Sequence, residues 1–259
     1  VKIITHMRFA SLGSGSQGNG TLIEHGQTCL LLDCGFTVAE TEQRLARLNR
    51  RAEDLTAIVI THEHGDHISG AGPLARKYNL PVWATPGTAL HHYLRKLPTL
   101  RLFSSHQTVS IGDIQVHPFP VPHDAREPAH FVFSDGARRL GVLTDAGAST
   151  PHIERCLTAC DALMLESNHD TEMLANGEYS RKLKKRVGGT YGHLSNHQAT
   201  DLLASLDCSR LQHLVAMHLS AKNNTPDLAR TGFAKVLGCA PDWIAIADQN
   251  TGLPWREIL

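Results

Sequence analysis

Apolar and polar positions alternate in short runs along most of the chain, a pattern typical of β-strands. Strands are predicted at residues 7–12, 21–24, 29–33, 57–61, 81–84, 108–111, 114–120, 129–134, 139–144, 162–166, 211–217 and 243–247. Segments with apolar residues on one face predict helices near residues 37–51, 71–78, 88–97, 151–159, 195–206 and 225–237. A segment rich in strands is followed by alternating strands and helices, and this order then occurs a second time along the chain. It predicts an α/β (α+β) fold in which two sheets pack face to face with helices outside.

The length and continuity of these elements predict one domain. A chain of 259 residues fits a single layered α/β fold. No internal repeat, low-complexity linker or long run of charge separates a second unit. Residues 1–6 precede the first predicted strand and lack the long apolar region of a signal peptide, so we interpret them as an extension. Residues 7–259 then form the single domain.

Charge and cysteine content exclude some classes of protein. Lys plus Arg number 25 and Asp plus Glu number 25, so the chain lacks the basic balance of a non-specific nucleic-acid coat. The apolar runs are far shorter than the ~20 residues of a membrane span, which predicts a soluble protein. The six cysteines form no CxxC pair and no dense framework, which favours reduced thiols and a cytoplasmic location.

The segment GSGSQG follows the first predicted strand and has the glycine spacing of a dinucleotide-binding loop. That loop requires a helix after the glycines, but residues 21–24 and 29–33 are predicted strands. We therefore interpret the segment as a tight turn between strands. Its backbone N–H groups are candidates to face an anion.

Histidine carries the chemical signal of this sequence. The chain has 17 histidines, and histidine is the commonest metal ligand among side chains. Residues 61–70, THEHGDHISG, place His62, His64, Asp66 and His67 directly after an apolar strand. An α-helix would scatter these side chains around its circumference, whereas a loop leaving a strand gathers them on one side. Imidazole and carboxylate donors suit Zn, Mn or Fe.

Three further residues of ligand type end apolar strands downstream. They are His123 after FPVP, Asp145 after LGVLT and His218 after LVAM. Loops at one edge of a sheet are where rigid scaffolds present reactive groups, so these positions predict one shared metal site. A buried histidine that is simply hydrogen-bonded is the alternative for each one taken alone.

With these residues in place, HEHGDH resembles the second motif of the metallo-β-lactamase fold superfamily, four-layer αββα hydrolases. Asp33 in LLDCG, His123, Asp145 in TDAG and His218 match its other motifs in order. The resemblance implies two divalent metal ions, with Asp66 both a ligand and a catalytic residue. It implies that one ion is bound by His62, His64 and His123, the other by Asp66, His67 and His218, and both by Asp145. Asp33 would then lie behind the site and position ligands, and a hydroxide between the ions would be the nucleophile.

The substrate class rests on a second resemblance. Glu166 in LMLESNHD and His193 in GHLSNHQAT resemble the pair of ribonuclease Z, in which Glu orients a His that protonates the leaving oxygen. Only 21 residues separate His123 from Asp145, too few for the tRNA-gripping arm of that enzyme. The segments SGSQGN, VPHDA, ESNHD, GHLSN and HLSAKNN are together similar to the YycJ/WalJ-type bacterial subfamily. This implies a phosphodiesterase, specifically a 5′-to-3′ exonuclease on DNA.

Substrate-binding candidates lie near this pair. Arg181, Lys182, Lys184, Lys185 and Arg186 form a dense basic run before His193, and Lys184, Lys185 and Arg186 are candidate phosphate contacts. A solvated surface helix is the alternative. Asn223 and Asn224 are candidates to bind phosphate oxygens or to cap the following helix.

Other functions stay open from the sequence. A small-molecule hydrolase of lactones or thioesters needs only the metal set, and an RNA-processing nuclease would use the same Glu and His. A regulatory or scaffold protein that keeps the fold without its chemistry is opposed by the competent side chain at every ligand position. No membrane partner is predicted. The sequence determines neither the choice of Zn or Mn nor the oligomeric state.

Overall fold

Two seven-stranded sheets form the centre of the molecule, seen in a computed structural model that describes residues 4–259. The first sheet has the order β14-β1-β2-β3-β4-β5-β6 and the second β13-β12-β11-β10-β9-β8-β7. The strands of the first sheet are β1 Ile4–Gly13, β2 Gly20–Gly26, β3 Thr28–Leu32, β4 Ala57–Val59, β5 Pro81–Ala84, β6 Thr99–Leu102 and β14 Leu253–Glu257. Those of the second are β7 Val109–Ile111, β8 Ile114–Pro120, β9 Ala129–Ser134, β10 Arg139–Leu143, β11 Ala162–Glu166, β12 His213–Met217 and β13 Ala245–Ile246.

The described helices are α1 Val38–Arg47, α2 Gly65–Ile68, α3 Ala71–Tyr78, α4 Pro86–Ala89, α5 Pro151–Leu157, α6 Thr171–Asn176, α7 Arg181–Val187, α8 Asn196–Ser205 and α9 Pro226–Leu237. Of these, α1 and α3 pack on the outer face of the first sheet, and α5, α8 and α9 pack on that of the second. Three short 3₁₀ turns, Ala52–Asp54, His92–Leu94 and Pro241–Trp243, complete the described elements. Local sequence fixes several helix ends. Helix α9 begins after the N-cap Thr225 with Pro226 in its first turn, and it ends at Gly238 in the left-handed conformation.

The alternation of side chains along the strands produces four layers. In β3, Leu30 and Leu32 pack between the sheets, while Leu31 faces the helices α1 and α3. In β11, Met164 packs between the sheets and Leu163 faces α5, α8 and α9. Both strands are buried on both faces, as expected of parallel strands covered by helices.

The strand directions bring several strand ends to one edge. Strands β3 and β4 are parallel, as are β10, β11 and β12. Strand β8 pairs antiparallel with β9 and β9 antiparallel with β10, so β8 runs in the same direction as β10. The residues that follow β8, β10 and β12 therefore emerge together.

The predicted four-layer α/β fold is confirmed, with differences in individual elements. A single helix over residues 88–97 is wrong, because extended backbone at His91 separates α4 from the turn His92–Leu94. Strand β6 was not predicted, since it lies at a sheet edge with three of its four residues exposed. Strand β14 was also missed because it contains Pro254, which is tolerated at the opposite edge.

The first strand begins within the segment that was predicted to be an N-terminal extension. Strand β1 begins at Ile4, which pairs with Gly26, so residues 4–6 belong to the first sheet rather than to an extension. Residues 1–3 lie outside the described part of the chain. Within residues 4–259, no helix has the length and apolar character needed to cross a membrane.

Candidate metal centre

Three of the predicted site residues adopt an unusual backbone conformation where strands end. Asp33 follows β3, Asp145 lies just beyond β10 and His218 follows β12, with φ of 61°, 43° and 53°. Positive φ is uncommon outside glycine and costs of order 1 kcal/mol or more per residue. Each residue turns the chain sharply at the same edge of the two-sheet core, and burial of all three side chains maintains this geometry.

The first group of nitrogen donors consists of His62, His64 and His123. Nε2 of His62 lies 3.0 Å from Nδ1 of His64, and Nε2 of His123 lies 3.1 Å from the same atom. His62 and His64 come from the segment after β4, and His123 follows β8. These residues lie about 60 positions apart in the sequence but meet in space, because the ends of β4 and β8 converge at the same edge of the two sheets.

The second group consists of Asp66, His67 and His218. Asp66 and His67 lie in the one-turn helix α2 rather than in the open loop that was predicted. One donor atom from each member of this group lies within 4.8 Å of the others, as is true of His62, His64 and His123. Asp145 connects the groups, because its carboxylate lies within the same distance of His62 and His67 donors. Its Oδ2 is 2.7 Å from Nε2 of His67.

Hydrogen bonds behind the rings set which nitrogen faces the centre. In four of the five rings the Nδ1 atom contacts an oxygen: His62 with Thr61 Oγ1 at 2.9 Å, His67 with Asp33 Oδ2 at 2.8 Å, His123 with the Gly192 carbonyl at 3.0 Å and His218 with Thr144 Oγ1 at 2.9 Å. With the proton on Nδ1, each of these four rings in its neutral form directs the lone pair of Nε2 toward the centre, whereas His64 directs Nδ1 there. This arrangement fits divalent metal ions better than a hydrogen-bonded histidine cluster, because inward-facing lone pairs do not bond one another.

The electrostatics of the cluster favour cations. Burial lowers the pKa of His62 well below its usual value and also lowers the pKa of His123, so these rings are neutral near pH 7. Burial alone lowers the pKa of His67, but Asp145, Asp66 and Asp33 outweigh it and raise that pKa well above its usual value. Buried carboxylates at such density require compensating positive charge, which metal ions supply.

Glu166 and His193 lie directly beside the cluster. Nδ1 of His193 is 2.7 Å from Oε1 of Glu166 and 3.0 Å from Oδ1 of Asp145. Burial lowers the pKa of His193, but the carboxylates of Glu166 and Asp145 outweigh burial and raise it well above its usual value. The contacts at Nδ1 leave Nε2 as the nitrogen available to a substrate.

A cleft of about 380 Å³ opens onto these groups. Its lining includes His64, Asp66, Asp145, His193 and His218, together with Arg186 of α7. Nε of Arg186 donates to Oδ2 of Asp124 at 2.6 Å, so one residue of the basic run reaches the cleft. Lys184 instead donates to the Ala175 carbonyl and lines a separate groove, and neither Lys184 nor Lys185 lines the cleft.

The two asparagines proposed as substrate contacts lie elsewhere. Asn223 and Asn224 are buried and do not line the cleft. The Asn224 side chain donates to the Ser167 carbonyl and accepts from the Asn196 side chain and the Thr225 backbone, so its hydrogen-bonding capacity is used within the protein. Neither asparagine is assigned to substrate binding.

Sequence reasoning missed several residues that support the centre. Thr61 and Thr144 immediately precede His62 and Asp145, a signal visible in the sequence. Nδ2 of Asn19 lies 3.1 Å from Nε2 of His67, and its backbone N–H donates to the Asp66 carbonyl. Ser14 Oγ accepts from the backbone N–H of His218 at 3.0 Å. The glycine-rich loop after β1 is therefore part of the site.

Comparisons with known proteins identify the family of this chain. A family model described as beta-lactamase superfamily domain matches residues 28–219. The chain is 37% identical to exodeoxyribonuclease YycJ of Bacillus anthracis over 235 residues, 89% of each protein. It is 36% identical to exodeoxyribonuclease WalJ of Streptococcus pneumoniae over 263 residues, covering 97% of this chain and 98% of that protein.

The solved structures show the same fold. The metallo-β-lactamase fold protein YhfI from Bacillus subtilis superposes with a TM-score of 0.75 at 19% identity, covering 98% of this chain and 100% of that one. With two sheets, a histidine and aspartate cluster at their shared edge and relatives that match nearly end to end, the chain belongs to the beta-lactamase superfamily and, within it, to the family of YycJ and WalJ.

Proposed function

We propose that this chain is a metal-dependent phosphodiesterase that degrades DNA from the 5′ end, with two divalent ions, Zn or Mn, in the cluster. The observation that carries the proposal is the contact of His193 with Glu166 beside the predicted ligands. Lactone and thioester hydrolysis need only the metal set, whereas a phosphodiester leaving group gains from a positioned acid. The relatives named exodeoxyribonuclease support DNA as the substrate.

The metal set is assigned as two groups that share one carboxylate. His62, His64 and His123 would hold one ion, Asp66, His67 and His218 would hold the other, and Asp145 would serve both. Bound divalent ions lower the pKa of water and stabilise negative charge that develops on a phosphate. Nitrogen and carboxylate donors accommodate both Zn and Mn.

His193 is assigned as the general acid. Oε1 of Glu166 accepts a hydrogen bond from Nδ1–H of His193, which fixes the ring plane and leaves Nε2 available to the substrate. A proton on Nε2 is then delivered to the leaving oxygen as the P–O bond breaks. Asp66 is assigned as a metal ligand. Asp33 is assigned a positioning role, because its carboxylate contacts Nδ1 of His67 and holds that ring in place.

Binding of the strand is assigned to the basic helix α7. Arg186 reaches the cleft and is placed to neutralise a phosphate beside the scissile bond, with Lys184 and Lys185 providing further positive charge outside the cleft. None of the residues of α7 is buried, so its cations face solvent or ligand rather than the core.

Cleavage of end-labelled single- and double-stranded DNA and RNA, with Mn and with Zn, tests this function. Wild type should release nucleotides stepwise from 5′ ends of DNA, Asp66→Ala should abolish release, and His193→Ala should slow it by roughly 10²- to 10⁴-fold. Metal content separates the two roles, because Asp66→Ala should lose metal and His193→Ala should retain it. A protein with both ions bound that cleaves lactones or thioesters but no nucleic acid would refute the proposal, and preference for RNA would correct the substrate.

A further inference from the structure

The loop between β1 and β2, residues 14–19, is fixed by side-chain hydrogen bonds to its backbone. The Gln249 side chain accepts from the Gln17 backbone N–H at 2.9 Å and donates to the Gly18 carbonyl at 2.9 Å. Inside the loop, Oδ1 of Asn19 accepts from the Gly15 N–H at 2.9 Å. The loop geometry is thus set by two amide side chains, one of them from the far end of the sequence.

Two glycines permit this packing. Gly15 and Gly18 have φ of 148° and 145°, a region that other residues rarely adopt. A Cβ at Gly15 would lie 2.5 Å from Oε1 of Gln249, and one at Gly18 would lie 2.6 Å from the Phe36 ring. The pattern GSGSQG therefore encodes close contact with Gln249 and Phe36 rather than a dinucleotide-binding helix.

Both ends of the loop are fixed to the candidate metal centre. Ser14 Oγ accepts from the His218 backbone N–H, and the Asn19 backbone N–H donates to the Asp66 carbonyl at 2.8 Å. Motion of the loop relative to the Asp66, His67 and His218 group is therefore restricted. Whatever the loop presents to the cleft is presented at a fixed position.

Ser16 is the residue that the loop presents. The backbone N–H groups of residues 14, 15, 17, 18 and 19 all have protein partners. Neither the N–H nor the hydroxyl of Ser16 has a partner among residues 4–259, and Ser16 is exposed where it lines the cleft beside Asp66 and His218. A rigid loop with two unsatisfied donors on one cleft residue is a preorganised site for an anionic oxygen.

We infer that Ser16 binds a non-bridging oxygen of the scissile phosphate through its backbone N–H and hydroxyl. This inference rests on the proposed phosphodiesterase function and extends it by naming a substrate-contacting residue outside the metal ligands and the Glu166–His193 pair. Donors fixed before the substrate arrives stabilise charge that develops on that oxygen without the cost of reorganisation. The Gln249 side chain is then a positioning group, since it holds the backbone that carries Ser16.

Stereospecific sulfur substitution tests the contact. Ser16→Ala removes the hydroxyl and should lower kcat/KM for an all-oxygen DNA substrate by about tenfold, the effect of one hydrogen bond to a charged group. With the two phosphorothioate diastereomers at the scissile linkage, the loss should persist for one and vanish for the other, whose sulfur already occupies the Ser16 position. Gln17→Ala is the matched control, because it removes an exposed side chain of the same loop that does not line the cleft.

The outcomes separate the inference from the function it extends. Equal losses of Ser16→Ala on both diastereomers, or no loss on any substrate, would overturn the contact while leaving the nuclease intact. Absence of phosphodiester cleavage by the wild-type holoenzyme would instead remove the proposed function, and this inference with it. Gln249→Ala should reproduce the loss in kcat/KM with unchanged metal content, and wild-type turnover in that variant would overturn the positioning role.

Discussion

Oε1 of Glu166 lies 2.7 Å from Nδ1 of His193, and its other oxygen, Oε2, accepts the backbone N–H groups of Ala146 and Leu194 at 3.0 Å each. The carboxylate is fully buried at the end of β11. One side chain therefore fixes the ring of His193, the backbone beside it and the turn that follows β10. The orientation of the proposed acid therefore depends on a side chain of the sheet.

The role of His193 as an acid predicts a dependence on the leaving group. His193→Ala should lower kcat for DNA by roughly 10²- to 10⁴-fold, the usual contribution of general acid catalysis. An aryl phosphodiester whose leaving group is p-nitrophenolate needs no proton, so its kcat should fall far less. Parallel steady-state kinetics on the two substrates measure the difference.

A matched histidine provides the control for this comparison. His197 lies four residues further on and its side chain is largely exposed, paired with Asp201. His197→Ala should leave both rates close to wild type. Equal losses on DNA and on the aryl ester in His193→Ala would show that His193 acts on binding or structure and not as an acid.

Substitution of Asp33 should weaken metal binding, although Asp33 is not assigned as a metal ligand. It accepts from His67 Nδ1 and from the Thr61 N–H at 2.9 Å. Asp33→Asn should weaken metal binding by about 10- to 100-fold, the usual effect of losing a carboxylate behind a histidine ligand. Competition with a chelator measures the affinity, and Asp113→Asn, a carboxylate far from the cluster, is the control. Wild-type affinity in Asp33→Asn would contradict the orienting role.

The ligand types could be predicted from sequence because each follows an apolar strand, and strand ends at one edge of a layered fold converge. His62, His123 and His218 were placed in this way, although they lie far apart in the chain. The left-handed backbone of Asp33, Asp145 and His218 was not predictable, since aspartate and histidine only rarely adopt it and only the packed structure imposes it.

Contacts between distant segments mark the limit of sequence reasoning. The loop carrying Ser16 depends on Gln249, 231 residues beyond Gly18, and no local pattern links them. Helix α7 has no buried residue, and its two apolar side chains, Leu183 and Val187, line the cleft rather than the core, which the sequence RKLKKRV did not reveal. Asn223 and Asn224 were considered as substrate contacts because they follow His218 in the sequence, whereas both residues are buried and neither lines the cleft.

The buried ion pairs of Glu24 should make the free energy of unfolding depend on pH in the acid range. Its carboxylate is 2% exposed and accepts from Arg8 Nε at 2.8 Å and from Arg50 Nη2 at 2.9 Å. Burial raises its pKa, but the bonds to Arg50 and Arg8 outweigh burial and lower that pKa below its usual value of 4.5. The folded state thus binds the proton more weakly than the unfolded chain. The resulting stabilisation is complete above about pH 4.5 and is lost as pH falls through the lower folded pKa.

Glu24→Gln should lower the free energy of unfolding at pH 7 by about 1–3 kcal/mol, because two guanidinium groups lose a charged partner. The difference from wild type should shrink as the pH falls below that range, which denaturant titrations at several pH values would measure. Glu42→Gln, which removes a surface partner of Lys77, is the control and should change stability little. A Glu24→Gln deficit that is independent of pH would contradict the ionic origin.

Arg186 predicts how binding depends on salt. It lines the cleft, and its partner Asp124 lies 3.5 Å from Nε2 of His123, so Asp124 connects the guanidinium to a candidate ligand. If it contacts one phosphate, Arg186→Ala should reduce the slope of log affinity against log salt by about 0.7 for single-stranded DNA, the effect of one fewer counterion released.

The Arg186→Ala substitution should also leave the Asp124 carboxylate without its partner, so that it repels the DNA strand. Arg186→Ala combined with Asp124→Asn should therefore bind DNA more tightly than Arg186→Ala alone. Lys235→Ala, which removes an exposed cation of α9, should leave the slope unchanged. Fluorescence anisotropy with all variants made in the His193→Ala background, in which cleavage should be slow, measures binding apart from cleavage. An unchanged slope in Arg186→Ala would mean that the arginine serves the Asp124 pair alone and that phosphates are neutralised elsewhere on α7.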